Sequence, residues 1–235
     1  MIEIKNVRKK YGEKYALDKV SFDVKEGEIF AFIGHNGAGK TTLIKAMCGI
    51  LDFDEGKILI NKKSIQDDPI ACKKIMAYVP DDPALYEDMK AIDYINFVCD
   101  MYDVPTEVRQ RNILKYAKMF GMENELSNVI KSFSHGMKQK VALMAALSHE
   151  PKVLVMDEPF VGLDPKAIFD MKEVMKRIAE QGGTIFFSTH ILDVAEKLCD
   201  RVAIVKQGKI VKVGGMKEIR GDKSLEKVFL ELEEK

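Results

Sequence analysis

Apolar and polar residues alternate in the first segments of the chain, IEIKNV from Ile2 and SFDV from Ser21, as they do along strands with one buried and one wet face. In EIFAFIG, from Glu28 to Gly34, the alternation gives way to a short continuous apolar run, which predicts a strand buried on both faces. From Lys40 the period becomes helical. Leu43, Ala46, Met47 and Ile50 of KTTLIKAMCGIL stand at i, i+3, i+4 and i+7 and predict one buried helix face ending near Gly49. KILINKKSI and IMAYVP resume strand character. From about Pro83 to His149 the pattern is helical almost throughout, in AIDYINFVCDMY, EVRQRNILKYAKMFGM and KQKVALMAALSH, each bounded by Pro, Gly or Ser. The strand-like runs KVLVMDEP, TIFFSTH, RVAIVKQ and KIVKVGG follow, separated by helical patterns after Pro165 and Asp193, and SLEKVFLELEEK closes the chain as a short amphipathic helix.

A strand-rich first third, a helical block and strands alternating with helices predict an α/β chain built on a mainly parallel sheet. At 235 residues, 46% of them hydrophobic, the chain has enough apolar side chains for a substantial core. Lys plus Arg and Asp plus Glu each number 37. The formal charge of zero leaves no global basic field of the kind that drives nucleic-acid binding, so no direct nucleic-acid partner is expected. Cys48, Cys72, Cys99 and Cys199 form no metal-ligand or C-x-x-C spacing and predict reduced thiols in a cytosolic protein. No apolar run approaches the ~20 residues of a membrane-spanning helix, and MIEIKNVRKKYG has no apolar signal region. The expectation is a chain that neither crosses a membrane nor is secreted, without internal repeats.

The chemistry concentrates in a few short stretches. Gly34 to Thr41, GHNGAGKT, satisfies G-x-x-x-x-G-K-[ST] between a buried strand and a helix. There glycines let backbone amides curl around a phosphate, Lys40 adds a cation, and Thr41 offers a hydroxyl to Mg²⁺. KVLVMDEP ends a strand in Asp157 and Glu158, at the sheet edge where open α/β folds bind ligands. Asp157 can hold Mg²⁺ through water, and Glu158 can polarise an attacking water. TIFFSTH ends in Ser188, Thr189 and His190; a strand beside that of Glu158 makes His190 a γ-phosphate contact. FVGLDP is by itself an ordinary turn with Pro165 in the first turn of the next helix. Tyr11, in KKYG, is either an adenine-stacking platform or a surface aromatic. FSHGMKQK reads as a second anion site: Ser134 caps a helix, and Gly136 permits close backbone approach to the exposed amides.

In chain order, GHNGAGKTT, YVPDDP, FSHGMKQK, VLVMDEP, GLD and STH resemble the nucleotide-binding domain of ABC transporters, from Tyr11 to about Gly214. The resemblance implies one ATPase domain with a P-loop NTPase core, an N-terminal antiparallel β subdomain and an inserted helical subdomain. Residues 1–82 and 150–215 would form the core with its β subdomain, 83–149 the helical block and 216–235 a tail helix. It implies ATP and Mg²⁺, with Tyr11, Gly34, His35, Asn36, Gly37, Ala38, Gly39, Lys40, Thr41 and Thr42 around the nucleotide and Thr41 and Asp157 toward the metal. Lys40, Glu158 as general base and His190 as switch histidine would carry the catalysis. In that family two domains dimerise head to tail, and each signature segment caps the γ-phosphate held by the other's P-loop. Ser134 and Gly136 would thus serve the ATP of a second subunit, expected as a homodimer, with Asp164 communicating across it.

Two positions depart from the family pattern. The usual Gln after YVP is Asp81, followed by Asp82; its oxygen can still ligate a cation, but it is shorter and charged. The signature L-S-G-G-Q reads Phe133, Ser134, His135, Gly136, Met137. This form, with SLEKVFLELEE, is similar to the small ATPase subunits of ABC-2-type exporters. The resemblance therefore implies a separate integral membrane permease, a cytoplasmic location on the inner face of the membrane, and docking of a permease helix near Tyr78 to Tyr102. The alternatives are a soluble ABC-type ATPase acting on ribosomes or DNA, disfavoured by one P-loop and balanced charge, and a low-turnover regulatory module in which Asp81 spoils the metal site.

Overall fold

The computed structural model describes residues 1–233. Strands β1 (Ile2–Tyr11) and β2 (Lys14–Val24) form an antiparallel hairpin that leads into β3 (Ile29–Ile33), helix α1 (Lys40–Met47), β4 (Glu55–Ile60), β5 (Lys63–Ser64), α2 (Pro69–Lys74) and β6 (Met76–Val79). Three helices follow, α3 (Ala91–Met101), α4 (Thr106–Phe120) and α5 (His135–Ser148). The chain then alternates through β7 (Val153–Asp157), α6 (Pro165–Glu180), β8 (Thr184–Thr189), α7 (Leu192–Leu198) and β9 (Arg201–Lys206). It ends in β10 (Lys209–Gly215), α8 (Met216–Arg220) and α9 (Leu225–Glu233).

Two sheets result. The smaller runs β2-β1-β4-β5 and is antiparallel. The larger runs β10-β9-β3-β8-β7-β6, parallel from β9 to β6, with β10 antiparallel at its edge. Every residue of β3, β7 and β8 is buried, because both faces of these strands are covered. One face, carrying Phe30, Phe32, Val155 and Phe186, packs with the smaller sheet and α1. Phe22 and Phe30 stack there at 5.1 Å. The opposite face, carrying Ala31, Ile33, Met156 and Phe187, packs against the helices. The β3–α1 junction therefore lies between the two layers, where a loop is held from both sides.

Some elements differ from the pattern reading. Leu43, Ala46 and Met47 are buried, but Ile50 is 57% exposed, because α1 stops at Met47 and Gly49 turns the chain with φ of 60°. Helix α2 was not expected, since only Cys72 of its six residues is buried and no period shows. The tail is two helices, α8 and α9, rather than one; residues 234–235 of the expected tail helix lie outside the described residues. All four cysteines are buried and unpaired. Among the described residues no helix is long and apolar enough to cross a membrane.

Candidate active site

The glycine-rich turn between β3 and α1 is fixed by contacts that leave no room for side chains. A Cβ on Gly34 would lie 2.5 Å from the Val205 carbonyl, and one on Gly39, at φ of 108°, would collide with the Ala16 carbonyl. Inside the turn the Ala38 N–H donates to the His35 carbonyl at 3.1 Å, and the Gly208 N–H donates to the Ala38 carbonyl at 3.0 Å. Lys40 folds back and is almost fully buried; its Nζ donates to the Gly34 carbonyl at 2.7 Å and the His35 carbonyl at 3.4 Å. A cavity of about 380 Å³ opens above this turn. Tyr11, Lys14, Ala16, His35, Asn36, Gly37, Gly39, Lys40, Thr41, Thr42, Asp81, Asp157 and Glu158 line it.

Opposite the turn stand the carboxylates at the end of β7. Pairing of Asp157 with Ser188 in the β7–β8 ladder places the Ser188 hydroxyl so that it donates to Asp157 Oδ1 and accepts the Glu158 N–H at 3.1 Å. Glu158 has φ of 48°, a left-handed conformation costing on the order of 1–2 kcal/mol for a residue with a Cβ. That turn aims its carboxylate back across the cavity. Oε2 accepts the His190 N–H at 3.2 Å and stands 2.9 Å from His190 Nδ1. Oε1 lies 3.1 Å from Lys40 Nζ at ion-pair distance but has no hydrogen-bond partner among the described residues. A carboxylate fixed through one oxygen by His190, with the other held by charge alone against Lys40, becomes able to take a proton from water once Lys40 turns to another anion. Asp81 reaches the same cavity, and partial burial followed by the charges of Asp157 and Glu158 pushes its carboxyl above the usual range.

The tip of α5 is built differently. Ser134 is extended and its Oγ accepts the Met137 N–H at 3.3 Å, the N-cap that the sequence predicts. Gly136 faces the FVGLDP turn, because a Cβ there would lie 2.6 Å from the Gly162 carbonyl. Gly162 in turn lies under the His135 ring. Asp164 caps α6 by accepting the Ala167 N–H at 2.9 Å and pairs with Lys140 Nζ at 2.9 Å; that hydrogen bond draws its carboxyl below the usual range. The helix tip and the turn are thus one interlocked unit. Ser134, Gly136 and Asp164 do not line the P-loop cavity.

The sequence pattern of the ABC transporter family matches residues 17–161. The chain belongs to that family. EcsA of Bacillus subtilis, an ABC-type transporter ATP-binding protein, is 34% identical over 237 residues, covering 99% of this chain and 96% of that protein. A solved ATP-binding subunit of an ABC transporter superposes with a TM-score of 0.95 at 35% identity, covering 99% of both chains. The dimeric structure of a bacterial ABC transporter cassette gives 0.84 at 26% identity, over 92% of this chain and 99% of that one.

Within this ABC-family chain, one cavity gathers Tyr11, His35, Asn36, Gly37, Gly39, Lys40, Thr41, Thr42, Asp81, Asp157 and Glu158. Gly34 and Ala38 belong to the turn but face the interior, and His190 adjoins the cavity through Glu158. Lys14 and Ala16 were not anticipated as lining residues, for nothing in a β-hairpin sequence marks which side chains overhang a distant loop. Ser188 was noticed only as part of a strand end; its register opposite Asp157 gives it the bracing role. The Thr41 hydroxyl and Asp157 carboxylate are hard oxygen donors lining the same cavity and suit Mg²⁺. The described residues hold no cluster of three His, Cys, Asp or Glu that could by themselves hold a metal ion.

Proposed function

We propose that the chain is the ATP-hydrolysing subunit of an ABC exporter, working as a head-to-tail pair beneath a separate membrane permease. The observation that carries this reading is the Glu158 carboxylate, anchored by His190 and facing Lys40 across a glycine-rich cavity, while a second capped helix tip stands outside that cavity. Amides of the turn and Lys40 bind the β- and γ-phosphates, and Tyr11, half exposed at the cavity edge, stacks on adenine. Thr41 and Asp157 hold Mg²⁺, which when bound neutralises charge on the phosphates. Glu158 takes a proton from the attacking water, with His190 fixing its orientation. Ser134 and Gly136 meet the ATP of the second copy, supplying the remaining hydrogen-bond donors only when two chains close.

The permease contact is the groove between the parallel sheet and the helical block. A cavity of about 140 Å³ lies there, lined by residues including Tyr78, Pro83, Leu85, Tyr94, Tyr102 and His149. Exposed Tyr86, Phe97 and Met101 continue the apolar strip, which suits a short amphipathic helix. Export is the direction implied by the ABC-2-type form of FSHGMKQK and the tail. The decisive experiment is Glu158→Gln: turnover falls by at least ~10²-fold, the scale of general-base catalysis, with ATP affinity retained. Unchanged turnover removes Glu158 from the mechanism. Asp81 favours a second reading, a low-turnover nucleotide-binding module, because it adds a charge beside the metal ligands; steady-state ATPase activity of the parent chain separates the two.

A further inference from the structure

Helix α9 is held at both ends and touches the phosphate-binding turn in the middle of its reach. At its start, the Leu225 N–H donates to Glu196 Oε2 of α7 at 2.7 Å. At its end, Lys206 Nζ from β9 donates to the carbonyls of Leu232 at 3.2 Å and Glu233 at 2.7 Å. A cation placed on the last carbonyls both satisfies them and complements the helix dipole. Leu225, Val228 and Phe229 face inward and are buried. The Phe229 ring meets the His35 imidazole edge-on at 4.9 Å, and Glu233 Oε2 lies 3.5 Å from His35 Nε2.

His35 is the second residue of the glycine-rich turn, and its backbone carries the bracing of that turn. Its carbonyl accepts from Ala38 N–H and from Lys40 Nζ. A side chain pinned on one side therefore fixes the carbonyl that organises the other. The same helix holds α7, the element that begins just after His190. Nothing in the family's P-loop motif demands this outside support, since glycine geometry and Lys40 already define the turn.

We propose that α9 is a strut for the phosphate-binding turn, with Phe229, Glu233 and Lys206 as positioning residues that act through His35. The strut holds the empty turn in its binding shape and so sets nucleotide affinity, with no part in the proton transfer at Glu158. The proposal rests on the reading of the cavity as an ATP site. Ordering the turn in advance removes from the binding step the entropy of arranging it, which is how preorganisation raises affinity. Loss of an edge-on aromatic contact or a terminal anchor corresponds to about a three- to tenfold change.

The test uses the full-length chain and its Phe229→Leu, Glu233→Ala and Lys206→Gln variants, with Lys40→Ala as control. Fluorescent-ATP binding, steady-state kinetics and hydrogen exchange of residues 34–39 in the nucleotide-free protein are measured together. Expected are Kd and KM raised by about three- to tenfold with kcat held within about twofold, and faster exchange in residues 34–39 with β7 unchanged. If Phe229→Leu speeds exchange throughout the fold, Glu233→Ala and Lys206→Gln decide alone, because neither empties the core. Unaltered affinity and unaltered 34–39 exchange in those two variants overturn the strut. If the parent chain binds no ATP, or Lys40→Ala binds as well as the parent, the nucleotide reading fails instead; the exchange measurement still judges whether α9 orders the turn.

Discussion

Asp81 lines the same cavity as the carboxylates of Asp157 and Glu158, and its titration behaviour follows from partial burial and from that crowding. Partial burial, then Asp157 and Glu158, raise its folded-state value above the ordinary 3.8. A raised carboxyl means that the folded protein holds the proton more tightly than the unfolded chain. The resulting loss of stability is absent below about pH 3.8 and complete once pH exceeds the folded value. Asp81→Asn removes it. In EDTA, without nucleotide, the melting temperature of Asp81→Asn should match the parent near pH 3.5 and exceed it at pH 7. A constant difference across that range would mean that neither burial nor crowding of the Asp81 charge is the cause. Asp81 as a departure was legible from YVPDDP alone, because a single residue type changes the chemistry. Its company with Asp157 followed only from the family resemblance, since Asp157 and Glu158 arrive from the end of a strand far along the chain.

Helix α5 shows a different balance at the scale of an element. His149 is its C-cap and stacks on Tyr102 with ring centroids 3.7 Å apart; the Tyr102 hydroxyl donates to the Met76 carbonyl at 3.1 Å. A charged histidine at a helix C-terminus normally gains about 0.3–1 kcal/mol from the dipole. Here burial wins and pushes the imidazole down to about 4, a shift corresponding to at most about 3–4 kcal/mol. His149 is therefore neutral in the fold, while the unfolded chain takes up its proton near 6.5. Its contribution to stability is present above pH 6.5 and lost as pH falls toward 4. His149→Phe keeps the stack and removes the proton, so urea unfolding at pH 7 and 4.5 should show a smaller loss than in the parent; an equal loss would place the acid sensitivity elsewhere. Element identity follows the strength of the local signal. The FSHGM start was readable because Ser134 has cap chemistry, and β3 because its five residues are all apolar. Helix α2 passed unnoticed although Asp68 caps it, as one buried residue makes no period. The contact of α9 with His35 has no local signal at all, since it arises only when the sheet brings β9 beside β3.

At the scale of the whole molecule, the glycine-rich turn and the Ser134-capped helix tip occupy separate places on one chain. The Ser134 tip is locked to the FVGLDP turn through Gly136 against Gly162 and Lys140 against Asp164. It therefore has a fixed shape before any partner arrives, and it lines no part of the cavity that holds Lys40 and Glu158. If each cavity is completed by the tip of a second copy, affinity of one chain for ATP and formation of the pair must respond differently to the same substitution. Ser134→Ala removes the cap hydroxyl, which costs about 1 kcal/mol of stability, too little to unfold a domain of this size. It leaves the resident cavity untouched. In a Glu158→Gln background, where hydrolysis is slow, ATP should drive the parent to a dimer seen by light scattering, and Ser134→Ala should need at least about tenfold more protein to reach the same mass, an interaction loss of about 1.4 kcal/mol. Fluorescent-ATP affinity of the dilute single chain should stay within about twofold. A dimer that forms equally well without the Ser134 hydroxyl would leave the helix tip as a cap for its own helix and nothing more.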